Sequence, residues 1–164
     1  MGTCKSEAEL PSRTDTDEGN PRLGRCYQLC GEYVSDNLHA VLIHGTIQRG
    51  DRPPLPHAWV EYVDAEKAGY LQDRYDMTRE RAESHAMIAY DPVWDERQPV
   101  ELHRCLSHAE EFERYTFDEV LQKMQETEHW GPWDARSDAA HEVFVEWQAG
   151  QRATQQRSKK SHDN

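Results

Sequence analysis

"HAWVEYV" (residues 57–63) carries aromatic and β-branched residues in a two-residue alternation, the pattern of a strand with one buried face. Its neighbours say what kind of fold holds it. Immediately before it, "QRGDRPPLP" (48–56) is turn and loop, because its prolines cannot continue a central strand. Before that, "HAVLIHGTI" (39–47) is apolar and β-branched and reads as a first strand. After it, "AMIAYDPVW" (86–94) is a third strand closed by an Asp-Pro turn. The strands are preceded by a helix: from Cys26 to about Leu38 the residues Leu29, Cys30, Tyr33 and Val34 recur at helical spacing, and "SDN" ends the segment. Towards the C-terminus, "TFDE" (116–119) is a capping box that opens a helix with Phe117, Val120, Leu121 and Met124 on one face. Ser137 is placed to cap a last helix that buries Val143, Phe144 and Trp147. A helix, antiparallel strands, then helices make an α+β chain: an N-terminal helix packed on a small antiparallel sheet, with C-terminal helices.

Composition sets the boundaries. The chain has 164 residues, enough for one domain with a real core, yet its hydrophobic content is only 36% and its mean hydropathy −1.02. Unfolded ends account for the deficit. Residues 1–21 hold two basic against five acidic residues and almost nothing apolar, so they read as a disordered tail. Residues 150–164 hold four basic residues against one acidic and read as a disordered basic tail. Those tails offset each other at −3 and +3, so the domain at 22–149 keeps the full net charge of −12. So acidic a body excludes a phosphate backbone as its main partner and suggests a basic protein or peptide substrate. The segment 64–85 is charged and interrupted by Gly69, with a short helix expected in "MTRERAES", and reads as a mobile surface insertion at the end of the sheet away from His57. No apolar signal core and no membrane-length apolar run is present, so the expected location is cytoplasmic and the four cysteines are expected as thiols.

A nucleophilic cysteine needs a thiolate, and the free N–H groups of a helix start favour negative charge. Cys26 sits where the first helix begins, just after Gly24. The thiolate also needs an imidazole partner, and the imidazole an orienting acceptor. If 57–63 and 86–94 pair as a hairpin, His57 and Asp91 meet at one end of the sheet, about 5 Å apart. Each residue also has a plain reading: Cys26 as inert packing, His57 as a satisfied strand-start histidine, Asp91 as a turn former. Cys30, one turn after Cys26, reads as a small core residue. His44 and Trp59 are the candidate substrate contacts, each equally readable as strand-end or core packing. "HRCLSH" (103–108) gathers two histidines and Cys105, but no second pair has zinc spacing, so neither metal nor cofactor is expected.

Cys26 with Leu29 and Cys30 behind it, "VLIHG" (41–45), "HAWVE" (57–61) and "YDP" (90–92) follow one another in an order that resembles the core of the transglutaminase-like superfamily, within the papain-like fold. The resemblance spans roughly residues 24–95. It implies Cys26 as nucleophile, His57 as base and Asp91 as orienter, in a cysteine hydrolase of amide bonds: a peptidase, amidase or deamidase. A protein transamidase with the same triad and a non-catalytic binding module on the same fold are the alternatives.

Overall fold

A computed structural model describes residues 22 and 24–162; the tail expected over 1–21 lies outside the described residues. Helix α1 (Cys26–Asp36) leads into strands β1 (Val41–Ile47) and β2 (Leu55–Val63), and a helical pair α2 (Ala65–Tyr75) and α3 (Arg79–His85) separates β2 from β3 (Met87–Asp91). Strand β4 (Glu96–Pro99), helix α4 (Val100–Leu106), strand β5 (Glu110–Tyr115) and helices α5 (Phe117–Thr127) and α6 (Ala135–His162) follow. The strands form one antiparallel sheet in the order β4-β3-β2-β1-β5, so the chain is α+β.

The alternation in "HAWVEYV" divides the core between the two faces of this sheet. Ala58 and Val60 join Leu42, Tyr90, the α1 residues Cys26, Cys30 and Val34, and Val120 of α5. Trp59 joins Ile43, Ala89 and Val100 of α4 on the other face. The same parity turns Glu61 inward, 1% exposed, where an isolated carboxylate would cost several kcal/mol. It is compensated: Arg114 donates to it at 2.7 Å, the Trp59 indole N–H at 3.1 Å, and Arg104 stands 3.5 Å away. Gly45 lies where β1 shifts register against β5, and a side chain there would collide with the Glu110 carbonyl and the Trp59 ring. Only glycine fits that approach.

Several expectations need correction. Strand β2 begins at Leu55 and includes Pro56, which pairs with Thr46 of β1. The proline is tolerated because β3 pairs with β2 only from Val60 onward, so Pro56 has one neighbouring strand and its missing N–H breaks no second ladder. Strands β4 and β5 escape the alternation rule: "ERQP" and "EEFERY" are mostly charged, and both lie at sheet edges, where one flank faces solvent. The cap of α6 is Asp134, whose Oδ1 accepts the Ser137 N–H at 2.8 Å, while Ser137 itself is buried inside the first turn. Val143 is 55% exposed instead of buried. Where a disordered tail is expected from residue 150, α6 continues to His162, exposed over residues 151–157, consistent with its run of Ala, Gln and Arg. Cys105 is disulfide-bonded, so the expectation of four thiols fails there; Cys26 and Cys30 are free. Among the described residues, no helix is long and apolar enough to cross a membrane.

The segment 64–85 is two capped helices: the short helix expected in "MTRERAES" is α3, and α2 precedes it. Asp64 accepts the Lys67 N–H at 3.0 Å, Thr78 the Arg81 N–H at 3.4 Å, and Ala68, Ala82 and Ala86 pack into a small cluster with Val63, Leu71 and Met77. The pair leaves β2 after Val63 and rejoins at Met87, and those two residues are register partners. It therefore stands at the far end of β2 from His57. Replacing residues 64–86 by Asn-Gly should preserve the iodoacetamide reactivity of Cys26 to within about twofold, because the turn it leaves is a standard two-residue hairpin. Loss of reactivity in a variant with unchanged circular dichroism would show that the pair shapes the site.

Candidate active site

Three elements end at one place. β2 carries His57 near its start, β3 ends at Asp91, and α1 begins at Cys26. Continuing the pairing Val60↔Tyr90 by one step puts Asp91 opposite Trp59, so His57 and Asp91 are diagonal neighbours on one face. The diagonal closes to a hydrogen bond, 2.6 Å between His57 Nε2 and Asp91 Oδ2. Asp91 is held from its other side, since Oδ1 accepts the Val93 N–H at 3.0 Å within the turn that follows. The carboxylate thus has no freedom to rotate away. Cys26 is the other group acting on this imidazole, and with Nε2 committed to Asp91 the ring nitrogen left for the sulfur is Nδ1. His57, Asp91 and Cys26 are 4%, 5% and 8% exposed.

The electrostatics follow from this packing. Burial works to lower the His57 pKa, but the Asp91 carboxylate, through its charge and its hydrogen bond, together with Cys26, pushes it up to about 10. Burial works to raise the Asp91 pKa, and the His57 ring and the Val93 N–H overcome it, holding the carboxyl below its ordinary value. At neutral pH, then, Cys26 faces an imidazolium. The start of α1 adds to that field: Arg25 provides no side-chain cap, and the first turn contains no acidic residue. The free N–H groups and dipole of that turn lie beside the Cys26 sulfur. Cys30, four residues on, is fully buried, and burial first, then the neighbouring Cys26 and Asp91, push its thiol well above the ordinary range. That thiol stays protonated and packs in the core.

Of the two candidate substrate contacts, Trp59 lies 0% exposed on the α4 side, its ring 5.2 Å from His103 and its indole N–H on Glu61. His44 is also 0% exposed, packed between the rings of Tyr27, Tyr115 and Trp133 at 4.7, 4.8 and 5.2 Å. Its Nδ1 stands 3.4 Å from Asp134 Oδ2 without hydrogen-bond alignment. Both are enclosed by neighbouring elements: Trp59 stands opposite Asp91 in the extended register, and His44 packs on Tyr27, the residue after Cys26. Trp94 reads from sequence as a core or cleft-wall aromatic; its surroundings were not legible there. The Trp94 indole N–H is buried near the turn after Asp91 without a protein partner, and the Arg49 guanidinium lies 4.1 Å over that indole ring. Among the described residues, no three His, Cys, Asp or Glu side chains gather as a metal site, and His103 instead pairs with Gln98 at 3.2 Å.

The buried histidines make the fold acid-labile. Burial lowers the His44 pKa to about 4 although Asp134 opposes it, and burial likewise lowers His103 to about 4 against Asp91. An unfolded histidine titrates near 6.5, so the unfolded chain binds these protons first and stability falls as pH drops from about 6.5 to 4, by about 3 kcal/mol per histidine at most. Urea midpoints measured at pH 7, 5.5 and 4.5 should decline, and His44→Phe, which keeps the ring contacts, should decline less steeply by about one proton. An identical pH slope in His44→Phe would show that the ring does not enter neutral.

Compared with known protein families, curated proteins and solved structures, the chain matches none.

Proposed function

We propose that the protein is a cysteine-dependent hydrolase of amide bonds, with Cys26 as nucleophile, His57 as proton carrier and Asp91 as the group that orients and charges the ring. A helix start that meets the end of an antiparallel sheet supports reading this core as similar to the transglutaminase-like superfamily. One observation carries the reading: a buried imidazole held by a carboxylate at 2.6 Å is also acted on by a cysteine at the start of a helix, which helps to hold its proton. A cysteine that only packs needs no imidazolium beside it, and an imidazolium buried for stability alone needs no cysteine.

The chemistry runs in two stages. The Cys26 sulfur attacks the carbonyl carbon, and the oxyanion that develops lies by the first N–H groups of α1. His57 gives its proton to the leaving nitrogen, the C–N bond breaks, and a thioester remains on Cys26. His57, now neutral, takes a proton from water as the water oxygen attacks the thioester; the acid leaves and the thiolate–imidazolium pair is restored. Asp91 stays ionised throughout and keeps the ring aligned. An amine in place of water would give transamidation by the same stages.

The test uses p-nitrophenyl acetate, followed by peptide anilides. Mixing with the ester should release a burst of close to one nitrophenolate per chain, and acid quenching should leave the acetyl group on the peptide containing Cys26. No burst, or acetylation confined to lysines, would contradict the assignment and leave a binding module on this fold.

A further inference from the structure

The approach of Cys26 to His57 has a second contact beside it, made by the next residue on each chain. Tyr27 follows Cys26, and its ring meets that of His44 edge-on at 4.7 Å. His44 is the register partner of Ala58, the residue after His57. The separation of α1 and the sheet at Tyr27 and His44 therefore governs the separation one residue away, where sulfur meets imidazole. The segment "HWGPWD" (129–134), which joins α5 to α6, clamps this contact from outside. Trp133 packs on His44 at 5.2 Å and on Tyr115 at 5.2 Å, and its indole N–H donates to the His129 carbonyl at 3.0 Å. Gly131 closes over both rings: a Cβ there would lie 2.8 Å from His44 Cε1 and 3.3 Å from Tyr27 Cδ1. One turn further along α1, Trp130 fills the notch at Gly31, where a Cβ would collide with its ring. Glycine weakens a helix interior, and the close approach of Trp130 accounts for its use there.

The enclosed knot is polar inside. The hydroxyls of Tyr27 and Ser137, both ring nitrogens of His44 and Asp134 Oδ2 are buried without an aligned hydrogen bond, although His44 Nδ1 stands 3.4 Å from Asp134 Oδ2. Ring packing, which acts at short range, sets its geometry instead. Asp134 ties the end of the clamp to α6, since its Oδ1 accepts the Ser137 N–H at 2.8 Å. We propose, resting on the catalytic reading of Cys26, that Tyr27 and His44 are positioning residues: their edge-on contact, clamped by residues 129–134, holds the start of α1 at the distance from β2 where Cys26 and His57 form an ion pair. Both act through the Cys26 backbone. His44, nominated from sequence as a substrate contact, takes this role in its place, and a shift of about 1 Å at such a contact is enough to cost a reaction about a hundredfold.

The test reads Cys26 alkylation by iodoacetamide at pH 6 on the full-length chain, relative to glutathione, together with the acyl burst. Tyr27→Leu removes the edge contact. It should cut the pH 6 rate by about fivefold or more, move the acid limb of the pH profile toward that of an ordinary thiol at about 8.5, and slow the burst by about tenfold to a hundredfold. Tyr27→Phe keeps the ring and should retain most of the native rate. His44→Leu breaks the same contact from the sheet side and should repeat the loss, so the proposal stays open to refutation even where Tyr27→Leu does not fold. Val34→Ala leaves a cavity at the other end of α1, where Val34 is 0% exposed, and should lower the urea midpoint while leaving the pH profile in place. A native rate in folded Tyr27→Leu or His44→Leu overturns the proposal, as does a loss in Val34→Ala as large as theirs. A native protein no faster than glutathione at pH 6 overturns the catalytic reading of Cys26 instead.

Discussion

Cys26→Ser and His57→Ala should each abolish the acyl burst, with steady-state ester and anilide turnover falling by about 10⁴-fold or more, and the double variant should lose no more than either alone. The reason is that the two side chains act as one unit: sulfur without the proton carrier lacks its activated form, and the imidazole without sulfur has nothing to activate. Serine occupies nearly the same volume, so Cys26→Ser should keep its urea midpoint. His57→Ala removes a ring that is 4% exposed and strands the Asp91 carboxylate, which is 5% exposed. Breaking a buried pair from one side costs about 3–5 kcal/mol, so this variant needs a stability control, and His57→Gln, which can still donate to Asp91, separates lost chemistry from lost folding. Cys30→Ala should keep the burst. A silent Cys30→Ala beside an active Cys26→Ser would transfer the role to the wrong cysteine on this account and end it.

Asp91→Asn should have the second-largest effect, about 10- to 100-fold at pH 7.5, and its signature is the pH profile more than the rate. In the native protein the imidazole remains protonated up to about pH 10, burial being overcome by Asp91 and then Cys26. Asparagine can accept the Nε2–H and keep the ring oriented, but it carries no charge, so burial then wins and the ring loses its proton below neutral pH. Native turnover should therefore hold from neutral pH to about 10 and decline above it, while the variant should already be declining at pH 7. The same shift has a stability consequence. Because the His57 pKa is raised on folding, the stabilisation from the pair is fully present below about 6.5 and lost as pH rises through about 10. Asp91→Asn should abolish that alkaline loss. Unchanged profiles would mean that Asp91 only shapes its turn.

What the sequence disclosed, and what it hid, divides along physical lines. The central strands were legible because β1, β2 and β3 are apolar or alternating, and the capping box at Thr116 was legible because its two residues speak to each other: Glu119 accepts the Thr116 N–H at 2.8 Å. Cys26, His57 and Asp91 could be nominated because a hairpin fixes which residues share an end. The edge strands β4 and β5 could not be read, since an edge in a charged protein loses the very alternation used to find strands. Pro56 shortened β2 in the reading because sequence alone does not say where β3 begins to pair. Helix α2 passed for a loop, whereas α3 was expected in "MTRERAES": the contact between them rests on Ala68 and Ala82, which leave little apolar signal. The contacts of Arg22 with Pro92 and of Arg49 with Trp94 join segments distant in sequence, which no local pattern discloses.

The central claim is that Cys26 and His57 work as a thiolate–imidazolium pair at neutral pH, and the rate of Cys26 alkylation by iodoacetamide between pH 4 and pH 10 measures it. The account predicts a rate at pH 6 on the order of tenfold to a hundredfold above that of glutathione, collapsing to the glutathione rate in His57→Ala. A native rate equal to that of glutathione at pH 6 and unaffected by His57→Ala would contradict it.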